Sequence, residues 1–233
     1  VTVVTLFYRE RVIGPPGRPP VGFDVEAAMT GPEVGRRPTG VDRDESVRPQ
    51  PLLVTRDVEE ARHYITDVYI PHDLETRDGR VLDFRLRYLA SERLTVGHLV
   101  YGADAELLVP PMRDCYHLNL TLEGQTMVSQ GGRRAATEAA RSGVLFNPTD
   151  PFTVRWSPEA VQYAVKLPRR SVEGHLAKLL NRPVERPIRF DLGFDVTSPA
   201  GQSLLSTVHF LRQEPEQMRD RAVATWPATA TSA

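Results

Sequence analysis

The sequence is short of several things at once, and each shortage excludes a class of function. A single cysteine, Cys115, leaves no internal disulfide and no multi-cysteine zinc site, and it fits a reducing compartment. No apolar run approaches the roughly 20 residues that cross a bilayer. The opening VTVVTLFY is shorter than most signal h-regions and runs straight into Arg9, Glu10 and Arg11. Net charge is −1, from 29 basic and 30 acidic residues, so no overall field gathers nucleic acid. No nucleophile with a base, paired-carboxylate signature or Gly-rich phosphate loop stands out, and GGRR at Gly131 to Arg134 is a turn with no helix behind it. These absences predict a cytoplasmic, non-enzymatic chain with no membrane span, no catalytic residue and no cofactor. The remainder is ordinary globular material, 40% hydrophobic and 25% charged, and its 233 residues suffice for a sizeable core.

Residues 1–50 hold no sustained hydrophobic period, and Gly and Pro recur in GPPGRPP, RRPTG and VRPQP, which predicts a disordered arm. The first position is Val, which fits a processed Met, an unusual start codon or a true start further on, such as Met29. Order begins at TRDVEEARHYITDVY. Asp57 and Glu60 form a capping-box pattern, and Val58, Ala61, Ile65 and Val68 share one face of a helix over about 57–69. Leu82, Phe84, Leu86 and Tyr88 then alternate with charged residues, as in a half-buried strand.

From Leu94 to Leu167 the chain reads as short strands closed by Gly, Pro or Asp: LTVGHLVYG, AELLVP, YHLNLTLEG, TMVSQGG, GVLFNP, FTVRW and VQYAVKL. Such a series must protect its edges, and the common solutions are a barrel or a jelly roll. In Tyr116 to Glu123, Tyr116, Leu118, Leu120 and Leu122 take one face while His117, Asn119 and Thr121 take the other. Alternation leaves open which face is inside. Two amphipathic helices follow, PRRSVEGHLAKLLNRP and SPAGQSLLSTVHFLRQE. The second is opened by Ser198 and Pro199 and striped by Leu204, Leu205, Val208 and Leu211. Residues 215–233 have few periodic apolar positions and predict a loose tail.

The order of these segments, and the wording of LLVTRDVEEARHYITDVYIPHDL, LVYGADAELLVP, YHLNLTLEGQ, SGVLFNPTDPFTVRW and VKLPRRSVEGHLAKLLNRPVERPIRFD, resembles the N-terminal sensor domain of AraC-type transcriptional regulators. The helix before the barrel and the YGAD phrase after Val100 resemble its cupin-like variant. The resemblance covers about residues 52–214 within a domain drawn at 51–214. It implies a mainly β fold with flanking α, a cupin-like β-barrel or jelly roll followed by two supporting helices, a small effector in the barrel, and pairing of two copies. A complete member carries a helix-turn-helix DNA-binding domain of about a hundred residues, and no room for one follows Glu214. DNA binding therefore requires that domain from elsewhere, and the chain reads as a fragment, a frameshifted product or a stand-alone sensor.

The candidate effector-binding residues are His98, Tyr101, Tyr116, His117, Asn119, Trp156 and Tyr163, aromatic walls with a few placed polar groups. Ordinary core packing is the competing reading for each, and Tyr116 and His117 face opposite ways, so only one of them lines the cavity. Leu204, Leu205, Val208 and Leu211 are the candidate homodimer stripe. Cys115, His117, Asn119 and Glu123 sit where a metal-binding cupin places ligands, but no His follows on the later strands, so no metal site is assigned. Two alternatives stay beside the sensor: a metal-dependent cupin enzyme, and a ligand-free module that pairs with a full-length regulator. The basic cluster from Arg169 to Arg189 reads as a solvated face, and Cys115 as inert packing.

Overall fold

The computed structural model describes residues 48–49, 52–77 and 79–224, with side chains described within 52–77 and 79–211. The arm expected over 1–50 lies, except for Arg48 and Pro49, outside the described residues. In chain order the elements are β1 (Arg48–Pro49), β2 (Leu53–Thr55), α1 (Val58–Val68), β3 (Asp73–Thr76), β4 (Phe84–Ala90), β5 (Thr95–Val100), β6 (Ala105–Val109) and β7 (Cys115–Glu123). Then come β8 (Gln125–Gln130), β9 (Arg133–Glu138), β10 (Ser142–Phe146), β11 (Phe152–Trp156), β12 (Val161–Pro168), α2 (Arg169–Leu180), β13 (Gly193–Asp195) and α3 (Pro199–Ala224).

The strands form two antiparallel sheets, one ordered β1-β4-β5-β12-β7-β10-β13 with β2 also on β4, the other β3-β6-β11-β8-β9. Phe84, Leu86, Leu99 and Tyr101 from the first sheet meet Leu107, Val109, Phe152, Val154 and Trp156 from the second in one core. The other face of the first sheet is also buried. Val96, Tyr116, Leu118, Leu120, Tyr163 and Val165 pack there on Val172 and Leu176 of α2 and on Leu204 and Val208 of α3. The fold is thus mainly β with supporting helices, as expected, and where a barrel or jelly roll was expected the strands lie in two packed antiparallel sheets. Its central strand β7 is buried on both faces over most of its length.

Helix α1 covers one end of the sandwich. Asp57 caps it by accepting from the Glu60 amide at 2.8 Å, while Ala61, Ile65 and Val68 turn inward. Half of the capping box forms, because the Glu60 carboxylate takes the hydroxyls of Thr55 and Tyr64 instead of reaching back to Asp57. The C-terminus is tied to β12. The Lys166 ammonium donates to the carbonyls of Val68 at 2.7 Å and Tyr69 at 3.1 Å, and the Tyr69 hydroxyl donates to Ala164 O at 3.0 Å. Gly97 makes room for this, since a Cβ there would stand 2.1 Å from the Tyr69 hydroxyl oxygen. Tyr69→Phe is therefore expected to lower the free energy of unfolding by about 1 kcal/mol in denaturant titration, the net worth of one buried hydrogen bond. An unchanged midpoint would contradict it.

Three sequence expectations need correction. Helix α3 runs to Ala224, well into the segment expected to be a loose tail. Gln213, Glu214, Glu216, Gln217, Met218 and Arg219 are good helix formers whatever their hydrophobic period. The stripe on α3 is divided: Leu204 and Val208 are buried against the chain's own sheet, and Leu205 packs on the same cluster. Leu204 and Val208 hold the helix down and are covered by the chain's own sheet, whereas Leu205 and Leu211 are half-buried. Finally, β9 and the short β3 pass unseen in the sequence, because RRAATE and DLET are edge segments of the second sheet whose polar residues protect an open edge.

Candidate ligand site between the sheets

Strand parity sorts the seven expected effector residues into two groups. On β5, β7 and β12 the positions Leu99, His117, Asn119 and Ala164 point between the sheets, whereas Tyr116 and Tyr163 belong to the layer under the helices. The structure therefore brings Tyr101, His117, Asn119 and Trp156 together around one interior cavity. It does not bring in His98, Tyr116 or Tyr163, which is a correction. The Tyr116 hydroxyl donates to Ile188 O at 2.9 Å, and the Tyr163 hydroxyl lies 2.9 Å from Nδ1 of His209, with the His98 ring edge-on to Tyr163 at 5.9 Å. These residues fasten α3 and the segment after α2 to the sheet.

The interior cavity measures about 30 Å³. It is walled by aromatic rings: Tyr101 meets Trp156 edge-on at 4.9 Å, Tyr69 meets His117 at 5.3 Å, and Phe146 stacks on Phe152. Its surface is mostly apolar, yet several of its lining residues carry buried polar atoms. Tyr101 Oη, Trp156 Nε1, Asn119 Oδ1, His72 Nε2 and His117 Nδ1 are buried atoms without a hydrogen-bond partner among the described residues. Their residues are only 0%, 2%, 4%, 5% and 7% exposed. Buried polar atoms are nearly always paired, and leaving one unpaired costs about 1–3 kcal/mol. These five residues share the lining of one cavity, where the Asn119 side chain also lies within reach of the His117 ring.

The protonation states follow from burial. It drives His117 from 6.5 down to about 4, with the Lys166 charge adding to the effect and the Asn119 side chain opposing it, so the imidazole is neutral. His72 is lowered as well, first by burial and then by Arg62, against the pull of the Ile70 carbonyl. Because that carbonyl lies 3.2 Å from Nδ1 and can only accept, the proton of neutral His72 sits on Nδ1 and Nε2 is an acceptor. Burial pushes the Tyr101 hydroxyl far above its ordinary range, and it stays O–H. His72 escaped the sequence reading: a lone His after Pro71, at the end of a helix, carries no periodic signal.

A wider recess of about 740 Å³ opens above this cavity and shares His72, Val109 and Phe152 with it. Its rim carries Arg62, Arg133 and Arg134 beside Asp73. A larger recess, about 990 Å³, lies outside the sandwich between α2, the segment 182–192 and the β8–β9 turn. Its buried polar floor is already paired. Gln130 bonds the carbonyls of Asn147 and Asp150 and accepts from the Asn147 amide, while Asn147 bonds both backbone groups of Phe190. The larger volume thus lies outside the sandwich, while the unpaired buried polar atoms belong to residues of the inner cavity. Among the described residues no group of three or more His, Cys, Asp or Glu is placed to hold a metal ion. Burial raises the Cys115 thiol, and its sulfur stays protonated. No helix among the described residues is long and apolar enough to cross a membrane.

The chain is 27% identical over 179 residues to a probable thc operon regulatory protein of Rhodococcus erythropolis, a match that takes in 75% of this chain and 53% of that protein. The chain spans about half the length of that curated relative. Its fold is similar to the crystal structure of the AraC-like transcriptional activator CuxR, with a TM-score of 0.52 at 13% identity over 78% of this chain and 74% of that one. A smaller likeness, with a TM-score of 0.34 at 14% identity, covers 46% of this chain and 79% of the Schizosaccharomyces pombe Cnp3 cupin domain. The AraC-binding-like domain family matches residues 61–231, which takes in most of α1, most strands of both sheets and both supporting helices. The chain belongs to the AraC-binding-like domain family.

Proposed function

We propose that this chain is the sensing part of an AraC-type transcriptional regulator, that it is not an enzyme, and that its small effector is held between the two sheets. The observation that carries the site is the convergence of five unpaired buried polar atoms on one cavity beneath an open recess. Family membership carries the regulatory role. The reading includes a cytoplasmic setting, and specific contact with DNA is left to a helix-turn-helix unit outside the described residues. It also includes pairing of two copies. With Leu204 and Val208 covered by the chain's own sheet, pairing is left to the outward side of α3, where Phe210 is exposed. A monomer in light scattering would remove that part.

The cavity as described admits about two waters, at roughly 10–15 Å³ for each. An effector larger than that must extend into the recess past His72, or part the sheets. A thermal-shift screen of the full chain against small organic metabolites and divalent metals tests the assignment, because a ligand of the native state raises Tm further as its excess over Kd grows. Organic stabilisers are expected to lose their effect in Asn119→Leu. Stabilisers that act equally on wild type and Asn119→Leu would put the effector elsewhere, and a response to metals alone would revive the enzyme reading.

A further inference from the structure

The residues around the interior cavity define what it accepts. The lining contains no Asp, Glu, Lys or Arg: it consists of aliphatic and aromatic side chains, two histidines and Asn119. The ammonium of Lys166, whose charge is felt at His117, is directed at the last carbonyls of α1 and does not line the cavity. The arginines stand at the rim of the outer recess, where Arg62 is paired with Glu59 and Arg133 with Asp191. Inside, donors and acceptors are mixed. Trp156 Nε1–H can only donate, Tyr101 O–H can donate or accept, and His72 Nε2 and Asn119 Oδ1 accept.

Resting on the reading of this cavity as the effector site, we propose that it takes an uncharged head group that both donates and accepts hydrogen bonds, of the primary-amide or hydroxyl class, and that it rejects carboxylates and ammonium groups. A carboxylate offers acceptors alone. It would satisfy Trp156 and Tyr101 but face the lone pairs of His72 and Asn119, with no Lys or Arg in the lining and with burial holding both histidines neutral. An ammonium would satisfy the acceptors and oppose the Trp156 N–H, again without a counter-charge. Either ion would be buried unpaired, and a protein interior resists that more strongly than it resists an unpaired neutral group. A primary amide presents an N–H₂ and a C=O side by side, which fits the mixed set. The part of the effector that reaches the recess is free of this restriction, and the arginine rim accommodates an acidic tail.

The proposal is tested on the full chain by following the Trp156 indole N–H in ¹H–¹⁵N spectra during titration with formamide, formate and methylammonium, small probes of two or three heavy atoms. Trp226→Phe assigns the peak. An indole N–H without an acceptor moves downfield when it gains one. Fragments this small bind on the order of millimolar at best, so the titrations run to high concentration. Formamide is expected to move the peak saturably, formate and methylammonium are expected not to, and the shift should vanish in Asn119→Leu. Saturable movement by either ion and none by formamide would overturn the neutral class while leaving the effector site in place. A peak that no probe moves would overturn both.

Discussion

Acidification from pH 7 to pH 4 is expected to cost the wild-type chain up to about 3 kcal/mol more stability than it costs His117→Leu, since one pKa unit corresponds to about 1.4 kcal/mol. The imidazole ordinarily titrates at 6.5 and in the folded chain near 4. Between those values the unfolded chain takes up a proton that the folded chain refuses. The contribution is therefore fully present above pH 6.5, is lost as pH falls towards 4, and changes no further below that. Burial supplies most of the effect, and Lys166 adds to it with a positive charge that a protonated His117 would have to face. The ring's other neighbours, Tyr69 and Phe146, cannot neutralise it. His72 shifts in the same direction and remains in the variant, so the difference between the two pH profiles isolates His117. Chemical denaturation across pH 4–7 reads it directly, and parallel profiles would mean that His117 is hydrated or paired.

Tyr101→Phe is expected to raise stability by about 1–3 kcal/mol, which is the opposite of what removing a buried tyrosine hydroxyl usually does. The reason lies in a comparison within one cavity. Tyr69 and Tyr101 both line it and both are buried, but the Tyr69 hydroxyl is bonded to Ala164 O and the Tyr101 hydroxyl has no partner. The same change thus deletes a hydrogen bond at Tyr69 and relieves an unmet one at Tyr101, with no change in packed volume. For a chain of this size the gain amounts to about 2–4 °C in Tm per kcal/mol. A binding site that gains stability when its polar groups are removed is the usual cost of keeping those groups ready for a ligand. If Tyr101→Phe melted below wild type, the hydroxyl would have a permanent partner inside the protein, and the case for an effector there would weaken accordingly.

Much of the fold could be read from residue pattern alone, because hairpin-length spacing and period-two alternation describe interior strands well. The capping of α1 by Asp57, the alternation through Phe84 and Leu86, and the left-handed stop of α2 at Asn181 follow from local chemistry. The site was only half legible, and one strand shows why. In β7 the apolar residues Leu118 and Leu120 face the helices, and the polar residues His117, Asn119 and Thr121 face the space between the sheets. A rule that sends leucine inward would invert this strand. The sheet is buried on both faces, and only the placement of α2 and α3, a long-range property, reveals which buried face is the interior. Once the interior face is known, strand parity takes Tyr116, Tyr163 and His98 out of the cavity lining, whereas His72 lies on the segment after α1, outside any strand pattern. The same placement took Leu204 and Val208 away from the pairing stripe, since amphipathicity tells that a helix face is buried and not against what.

The most direct measurement of the central claim is a crystal structure of the full chain at a resolution that shows ordered water. Density is expected between the sheets, a water or a bound molecule, within hydrogen-bond reach of Trp156 Nε1, Tyr101 Oη and Asn119 Oδ1. An empty cavity, or side chains turned so that these atoms bond one another, would contradict it and leave the chain with a filled core in place of a site.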